Sequence, residues 1–378
     1  MKRIVFLDYV RVFACFLVML VHASENFYGA PGSTDMAGPQ SLLLTESDRL
    51  WVSLYDGASR MAVPLFMIVS AFLLAPLKGS QTAVEFYKRR AIRILPPFLI
   101  FIVLYSTIPM FWNQIDMETS AHDLSRTLIN FPTLAGHLWF MYPLIGLYLF
   151  IPVISPWLAK ASAKEERMFI WLFAISTCMP YLNRFFGEVW GQCFWNEFHI
   201  LWYFSGYLGY LVLAHYIRVH LDWSVRKRMT IGTILTVVGV VWTILSFYIQ
   251  AVPGELHSTP EIELGWSFCT INVLSATAGA FLLFTCIRKS RTPRIILQLS
   301  NLSYGMYLMH IFWLGMWVSV FKDSMGFPSV SAIPAIAVCT FLCCWATTLI
   351  ISLLPGGKWV VGTSSVGVSP SLRLEGAD

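Results

Sequence analysis

Two residues in the first apolar run have side chains suited to acid–base or anion chemistry. Arg11 and His22 stand eleven positions apart, which in a helix is about 1100°, or three turns plus about 20°. Both side chains therefore share one helical face, about 16 Å apart along the axis. That separation excludes a direct hydrogen bond between them, but it suits one extended substrate or two substrates that meet end to end.

Two carboxylates flank this pair on the same predicted helix. Asp8 precedes Arg11 by three positions and can hold its guanidinium, and Glu25 follows His22 by three positions and can orient its imidazole. The alternative is that these residues reach the membrane surface or form structural ion pairs. Because histidine titrates near neutral pH, His22 is suited to act as a general base or as a nucleophile.

A basic segment at residues 87–97 provides the second candidate group. Arg90 and Arg93 are three positions apart on one helical face, a spacing suited to binding phosphate. Pro96 and Pro97 follow directly and are predicted to break the helix, so that irregular backbone would line a cavity there. The alternative is an ordinary basic flank that only fixes the orientation in a membrane.

Further polar residues lie inside two other apolar runs. Asp56 and Arg60 are spaced i,i+4 and predict a buried pair that is either functional or structural. Ser303, Tyr307 and His310 fall on one helical face at steps of four and three. Such residues also join helices to one another in membranes, so a structural role stays open for each.

These polar residues are informative because the chain has so few charges. Of its 378 residues, 12% are charged and 57% are hydrophobic, whereas soluble domains have about 25% charged residues. This composition excludes a soluble, a disordered and a nucleic-acid-binding protein. The eight cysteines include no C-x-x-C pair, and no metal site is predicted.

Ten apolar runs are long enough to cross a bilayer as helices, which takes about 20 residues. They are residues 4–27, 51–77, 94–112, 138–158, 168–186, 199–216, 229–250, 266–287, 295–321 and 332–354. The fifth is broken by Pro180 and Asn183, and the sixth is short. The sequence therefore predicts an all-α polytopic membrane protein, with a membrane domain at 1–361 and a disordered tail at 362–378.

The basic residues predict the orientation of this membrane domain. With the N-terminus in the cytoplasm, 20 of the 26 Lys and Arg residues are cytoplasmic and four are outside, while Arg11 and Arg60 lie within spans. The positive-inside rule therefore favours ten spans with both termini in the cytoplasm. In this orientation Arg11 is nearer the cytoplasm and His22 is nearer the outside.

Five short motifs together resemble those of acyltransferase family 3, the bacterial integral membrane O-acyltransferases. In chain order they are Leu7 to Arg11 with His22, Val63 to Leu74, Lys88 to Pro96, His137 to Met141, and Ser303 to His310. Each motif alone is weak, but their order over residues 5–360 is specific. The glycine usual after Ser70 is Ala71 here, which removes no catalytic group. The chain resembles a stand-alone member without a fused extracytoplasmic domain.

The resemblance implies transfer of an acyl group from cytoplasmic acyl-CoA, usually acetyl-CoA, to a hydroxyl of an extracytoplasmic or lipid-linked glycan. Arg90, Arg93 and Ser70 would bind the donor. Arg11 would position the donor by polarising its thioester carbonyl or holding its pantetheine arm. His22 would act as a general base or carry the acyl group transiently. Secondary candidates for site residues would be Asp8, Glu25, Asp56, Arg60, His137, Trp139, Ser303, Tyr307 and His310.

The expected partners are acyl-CoA, the glycan acceptor and the lipid bilayer of the bacterial inner membrane, with no metal and no nucleic acid. The identity of the acceptor, acetyl versus succinyl as the acyl group, and a homo-oligomeric state stay open. A multi-span transporter or flippase is the main alternative, although no internal repeat supports it. A structural scaffold would leave the shared face of Arg11 and His22 unexplained.

Overall fold

The computed structural model describes residues 3–29, 38–187, 189–191 and 197–363 of the chain. The helices are α1 Val5–Glu25, α2 Glu46–Ser59, α3 Ala62–Leu74, α4 Ala83–Thr107, α5 Met117–Ser125, α6 Met141–Leu158, α7 Ala163–Ser176, α8 Met179–Phe186, α9 Tyr207–Val219, α10 Val225–Gln250, α11 Thr259–Ile262, α12 Ile271–Phe284, α13 Arg294–Val318, α14 Ser329–Leu353 and α15 Gly357–Val361. Short 3-10 turns lie at Ile108–Trp112, Gly136–Phe140, His199–Phe204 and Leu264–Trp266, and a π turn at Ser319–Ser324. Two short strands, β1 Gln40–Leu42 and β2 Leu256–Ser258, pair antiparallel.

The structure confirms an almost wholly helical membrane protein, whereas the number of spans stays a prediction. Within the described residues, eight helical segments are long and apolar enough to cross a membrane. The predicted fifth span is divided into α7 and α8, and the sixth consists of a 3-10 turn followed by α9. Pro180 lies in the first turn of α8, where proline is tolerated because its missing N–H needs no partner. Of the predicted tail, residues 364–378 lie outside the described part of the chain.

Helix α1 lies at the centre of the bundle. It packs against α2, α3, α13 and α14, and its apolar side chains Leu7, Val10 and Ala14 are buried. Burial among other helices keeps its charged residues away from lipid, where they would be costly. α1 is therefore a regular helix that holds polar side chains along its length.

The proline pair of α4 does not break the helix, contrary to the sequence prediction. The helix runs without interruption from Ala83 to Thr107 with Pro96 and Pro97 inside it. The prolines leave the carbonyls of Ile92 and Arg93 without their i+4 backbone donors. The hydroxyl of Tyr304 on α13 donates a 2.9 Å hydrogen bond to the carbonyl of the next residue, Ile94, and connects α13 to this stretch. The basic segment is consequently a regular part of α4.

The small sheet covers the end of the bundle where α1 ends. β1 belongs to the connection that follows α1, and β2 to the connection that follows α10. Their register places Gln40 opposite Ser258, and the hydroxyls of Ser41 and Thr259 lie 2.6 Å apart. Strands of three residues have no periodic sequence signal, so the sequence predicted only loops here.

Candidate active site

A cavity of about 310 Å³ lies beside the first half of α1. Arg11 lines it together with Arg90 and Arg93 from α4, and Ser70 lines it from α3. Tyr148 of α6 completes this wall, with its hydroxyl 3.4 Å from that of Ser70. The four residues predicted to position or bind an acyl donor are therefore neighbours in one cavity, which we call the inner cavity. Their roles stay predictions.

The arginines of the inner cavity have little negative charge around them. Within the described part of the chain, the one ion pair of Arg11 is to Asp8, with 3.9 Å between Nη1 and Oδ1, and neither Arg90 nor Arg93 has one. Nε of Arg90 is buried without a hydrogen-bond partner among the same residues. Because an unpaired buried donor of a cation is costly, the inner cavity is suited to an anionic ligand.

The predicted ion pair of Asp8 and Arg11 is present, but Asp8 is bound more closely by other groups. Arg3 donates two hydrogen bonds of 2.7 Å to its two oxygens. The hydroxyls of Thr292 and Ser300 donate at 2.8 Å each. Arg3 takes precedence over Arg11 because it reaches the carboxylate in the stronger bidentate geometry. Asp8 thus links the start of α1 to α13 and to the turn before it.

A second cavity, of about 760 Å³, lies beside the other half of α1. His22, Glu25 and Trp139 line it, and we call it the outer cavity. Nδ1 of His22 lies 2.7 Å from Oε2 of Glu25, so the predicted contact between them is confirmed. When the carboxylate is ionised it accepts from Nδ1–H, which makes Nε2 the basic nitrogen. This arrangement is the one that a general base requires.

Two further histidines adjoin His22 and form with it what we call the histidine cluster. The ring centroid of His310 lies 5.1 Å from that of His22 and 4.8 Å from that of His137. His310 is completely buried, and its Nδ1 donates to the carbonyl of Tyr307 at 2.6 Å. Its Nε2 has no hydrogen-bond partner among the described residues. His310 therefore offers a second basic nitrogen next to His22.

The histidine cluster lies at the boundary between the two cavities. Ser303 and Tyr307 of α13 line the inner cavity, and the Tyr307 hydroxyl donates to the backbone carbonyl of His137 at 2.6 Å. In the 3-10 turn that contains His137, Trp139 faces the outer cavity and Phe140 faces the inner one. The motif residues of this turn and of α13 are therefore brought together between the cavities.

The predicted pair of Asp56 and Arg60 is confirmed as part of a larger buried network in the wall of the outer cavity. Arg60 donates to both oxygens of Asp56, at 2.5 and 2.9 Å. It also lies 3.6 Å from Glu263 and donates to the hydroxyl of Tyr28 at 3.1 Å. The ring of Trp266 lies 4.3 Å from its guanidinium carbon. These several contacts indicate a positioning role for Arg60.

The match to a known protein family extends over all of these motif residues. The chain matches the family described as "Acyltransferase domain", Acyl_transf_3, over residues 4–349. The chain belongs to acyltransferase family 3. Comparison with curated proteins and with solved structures gives no match. The family membership makes this protein a membrane acyltransferase.

Sequence reasoning missed three residues of this acyltransferase family 3 member: Tyr148 and Glu263, which line the two cavities, and Tyr28, which contacts Arg60. Tyr148 is an aromatic residue in an apolar run, where aromatics are common, and it has no further signal. Tyr28 and Glu263 are 32 and 203 positions from Arg60, so no local spacing connects them. Burial raises the pKa of Glu263, an effect that Arg60 opposes and that Glu25 increases.

Proposed function

We propose that this acyltransferase is an O-acetyltransferase of the bacterial cytoplasmic membrane. It would transfer the acetyl group of cytoplasmic acetyl-CoA to a hydroxyl of an extracytoplasmic or lipid-linked glycan. The observation that carries the proposal is the different chemistry of the two cavities along α1. Arginines with few counter-charges surround the inner cavity, and a histidine paired with a carboxylate lines the outer one.

The inner cavity provides the donor site in this proposal. Arg90 and Arg93 bind phosphate groups of CoA, because a guanidinium donates paired hydrogen bonds to phosphate oxygens. Arg11 and His22 are about 16 Å apart along α1. When His22 is the base, the reacting atoms lie beside His22 and Arg11 is therefore remote from them. We therefore assign Arg11 to the pantetheine arm rather than to the thioester carbonyl.

The outer cavity provides the acceptor site. Its wall combines aromatic rings, Trp139, Trp266 and Phe268, with the carboxylates Glu197 and Glu263. Aromatic faces stack on the C–H faces of sugar rings, and carboxylates accept hydrogen bonds from sugar hydroxyls. This lining suits a polyhydroxylated acceptor better than an apolar one.

In the direct route, Nε2 of His22 takes the proton of the acceptor hydroxyl while the hydroxyl oxygen attacks the thioester carbonyl. The tetrahedral intermediate then collapses, the C–S bond breaks, and the departing CoA thiolate takes the proton from the imidazolium. The 2.7 Å contact to Glu25 stabilises the positive imidazolium between these two steps. The products are the acetyl ester and CoA with a free thiol.

In the carrier route, Nε2 of His22 attacks the thioester itself and the C–S bond breaks, which gives an acetylimidazole and CoA. The acceptor hydroxyl then attacks the acetyl carbonyl and restores the imidazole. His310 would take the hydroxyl proton in this second step and pass it to the departing His22 ring, because its Nε2 lies unpartnered beside His22. Both routes require His22, and only the second requires His310 as a base.

Transfer of labelled acetyl groups by the purified protein in liposomes tests the proposal. The substrates are labelled acetyl-CoA and a glycan fraction from the cell surface. We expect His22→Ala to lower the transfer rate by about 10²–10⁴-fold, the usual contribution of a general base. A variant at the exposed His122 of α5, His122→Ala, should transfer at the parent rate.

Two outcomes would contradict this function. If His22→Ala folds and transfers acetyl groups at the parent rate, the assignment of His22 is wrong. If the parent protein moves a glycan across the membrane without consuming acetyl-CoA, the alternative of a transporter or flippase is correct.

A further inference from the structure

A buried cluster of metal-ligating side chains lies outside both cavities. Glu166 of α7 faces His215 of α9 and His220, which directly follows the end of α9. Oε1 of Glu166 lies 2.8 Å from Nδ1 of His215 and 3.2 Å from Nε2 of His220. One donor atom of each of these three side chains lies within 4.8 Å of the other two.

The bonding of Glu166 is incomplete in this arrangement. Both imidazoles contact the same oxygen, Oε1, while Oε2 is buried without a hydrogen-bond partner among the described residues. The side chain of Glu166 is wholly buried, and that of His215 is 4% exposed. Within the described part of the chain, Glu166 pairs with no lysine or arginine. A buried carboxylate oxygen in this state is costly unless a cation is nearby.

We propose that Glu166, His215 and His220 bind a divalent transition-metal ion, for which Zn²⁺ is the best match. Two imidazole nitrogens and a carboxylate form a typical ligand set for Zn²⁺, with bonds of about 2.0–2.2 Å. Neighbouring ligand atoms of a tetrahedral site with such bonds are about 3.2–3.6 Å apart. The 3.2 Å distance from His220 lies in that range, whereas the 2.8 Å distance from His215 is a direct hydrogen bond that would lengthen as the ion enters. His220, at the end of its helix, can move to complete the site. Water would supply the remaining ligand.

A bound metal ion would complete the bonding of Glu166. The ion brings positive charge to the carboxylate and can accept Oε2 as well as Oε1. Each histidine ligates through the nitrogen that now faces Glu166 and keeps its proton on the other nitrogen. No oxidation or covalent step is involved, so the site needs no further reactant.

The position of the cluster indicates what the ion would do. α7 and α9 are the helices of the predicted fifth and sixth spans, and neither is long enough alone to meet the length expected of a span. The ion would connect the beginning of α7 to the end of α9. Two residues before His220, Arg218 donates to the carbonyl of Phe72 in the last turn of α3 and to that of Ala75 directly after it. The site would thus stabilise this pair of short helices against the rest of the bundle.

Metal titration of the full chain tests this inference. The protein is purified in detergent without a polyhistidine tag, treated with chelator, and titrated with Zn²⁺ against a colorimetric competitor. We expect one equivalent of Zn²⁺ to bind and the temperature of unfolding to rise, because a ligand that binds only the folded state stabilises it. Co²⁺ in place of Zn²⁺ should give the visible absorption bands of a four-coordinate site.

His220→Ala is the main variant, because His220 is 19% exposed and lies outside the helix. Loss of a direct ligand should weaken Zn²⁺ binding by more than the about 10–100-fold expected for loss of an outer-sphere partner. His122→Ala, which removes an exposed histidine elsewhere, should bind Zn²⁺ as the parent does.

Less than one equivalent of Zn²⁺, or equal affinity in His220→Ala and the parent, would overturn the inference. All readouts are binding, spectra and stability rather than acetyl transfer. Failure of this metal site and failure of the proposed function are therefore distinguishable.

Discussion

Arg89 and Arg90 are neighbours in the sequence with different surroundings. Arg89 is exposed, whereas Arg90 is partly buried, lines the inner cavity and has an unpartnered Nε. The difference follows from the helical period, which turns successive side chains of α4 by about 100°. A comparison of the two residues separates binding in the cavity from general positive charge on this helix.

We predict that Arg90→Ala raises the KM for acetyl-CoA by about tenfold or more, because a hydrogen bond to a charged group contributes about 1.5–3 kcal/mol. Steady-state kinetics of acetyl transfer measure this effect. Arg89→Ala removes the same charge from the same helix and should leave the KM unchanged. Arg90→Lys keeps the charge but not the paired donors, so we expect an intermediate value. Equal KM values for Arg89→Ala and Arg90→Ala would contradict the donor site.

The sequence predicts single residues well where the helical period alone decides their position. Arg11 and His22 lie on one uninterrupted helix of 21 residues, so their spacing gives their relation directly. Asp8 shows the limit, because its spacing to Arg11 allowed an ion pair and Arg3 binds it in a better geometry. The spacing of two residues shows which contacts between them are possible. Which contact forms also depends on other residues that compete for the same side chain.

At the scale of elements, α4 and α7 show different limits of the sequence prediction. The proline pair of α4 was expected to break the helix, but α4 continues from Ala83 to Thr107 with both prolines inside it. The predicted fifth span, which the sequence already marks as broken by Pro180 and Asn183, divides between Ser176 and Met179. The arrangement of Glu263, Tyr28 and Arg60 was unpredictable because these residues lie far apart in the sequence.

The crossing of α10 and α12 provides a prediction at this scale. A Cβ added to Gly239 of α10 would lie 2.4 Å from the backbone nitrogen of Ala276 and 2.5 Å from the carbonyl oxygen of Asn272, both on α12. Small residues allow membrane helices to approach this closely. We expect Gly239→Ala to separate the helices and to lower the stability by about 1–3 kcal/mol, measured by thermal unfolding in detergent.

Gly146 of α6 is the matched control for this prediction. A Cβ at Gly146 would meet no atom within 4 Å, and alanine is favoured over glycine in a helix by about 0.5–1 kcal/mol. Gly146→Ala should therefore leave the stability unchanged or raise it slightly. If both variants unfold at the same temperature, close packing at Gly239 does not stabilise the bundle.

At the scale of the whole molecule, the contacts of α7 and α8 indicate a complete crossing by two short helices. Glu166 near the beginning of α7 contacts the end of α9, beside the end of α3 that borders the inner cavity. Arg184 near the end of α8 pairs with Glu261 at 3.3 Å, beside Pro260, which lines the outer cavity. The two helices thus extend from the inner-cavity end to the outer-cavity end, and α9 returns. This is the path that ten crossings would require, while eight helices in the described residues have the full length.

We therefore predict that the chain near Gly187 lies outside the cytoplasm, while Ala161 and Asp222 lie inside it. Fusions of alkaline phosphatase, which is active only outside, and of green fluorescent protein, which is fluorescent only inside, after each position measure this. Fusions after Gly79, in the cytoplasm, and Ile115, outside, are controls whose sides are the same for eight or ten crossings. With ten crossings the reporter changes side at Gly187 and returns at Asp222. If all three positions report one side, α7, α8 and α9 do not cross the membrane. Arg184 would then be cytoplasmic, and the division of basic residues would change from 20 to 4 to 21 to 3, which fits the positive-inside rule equally well.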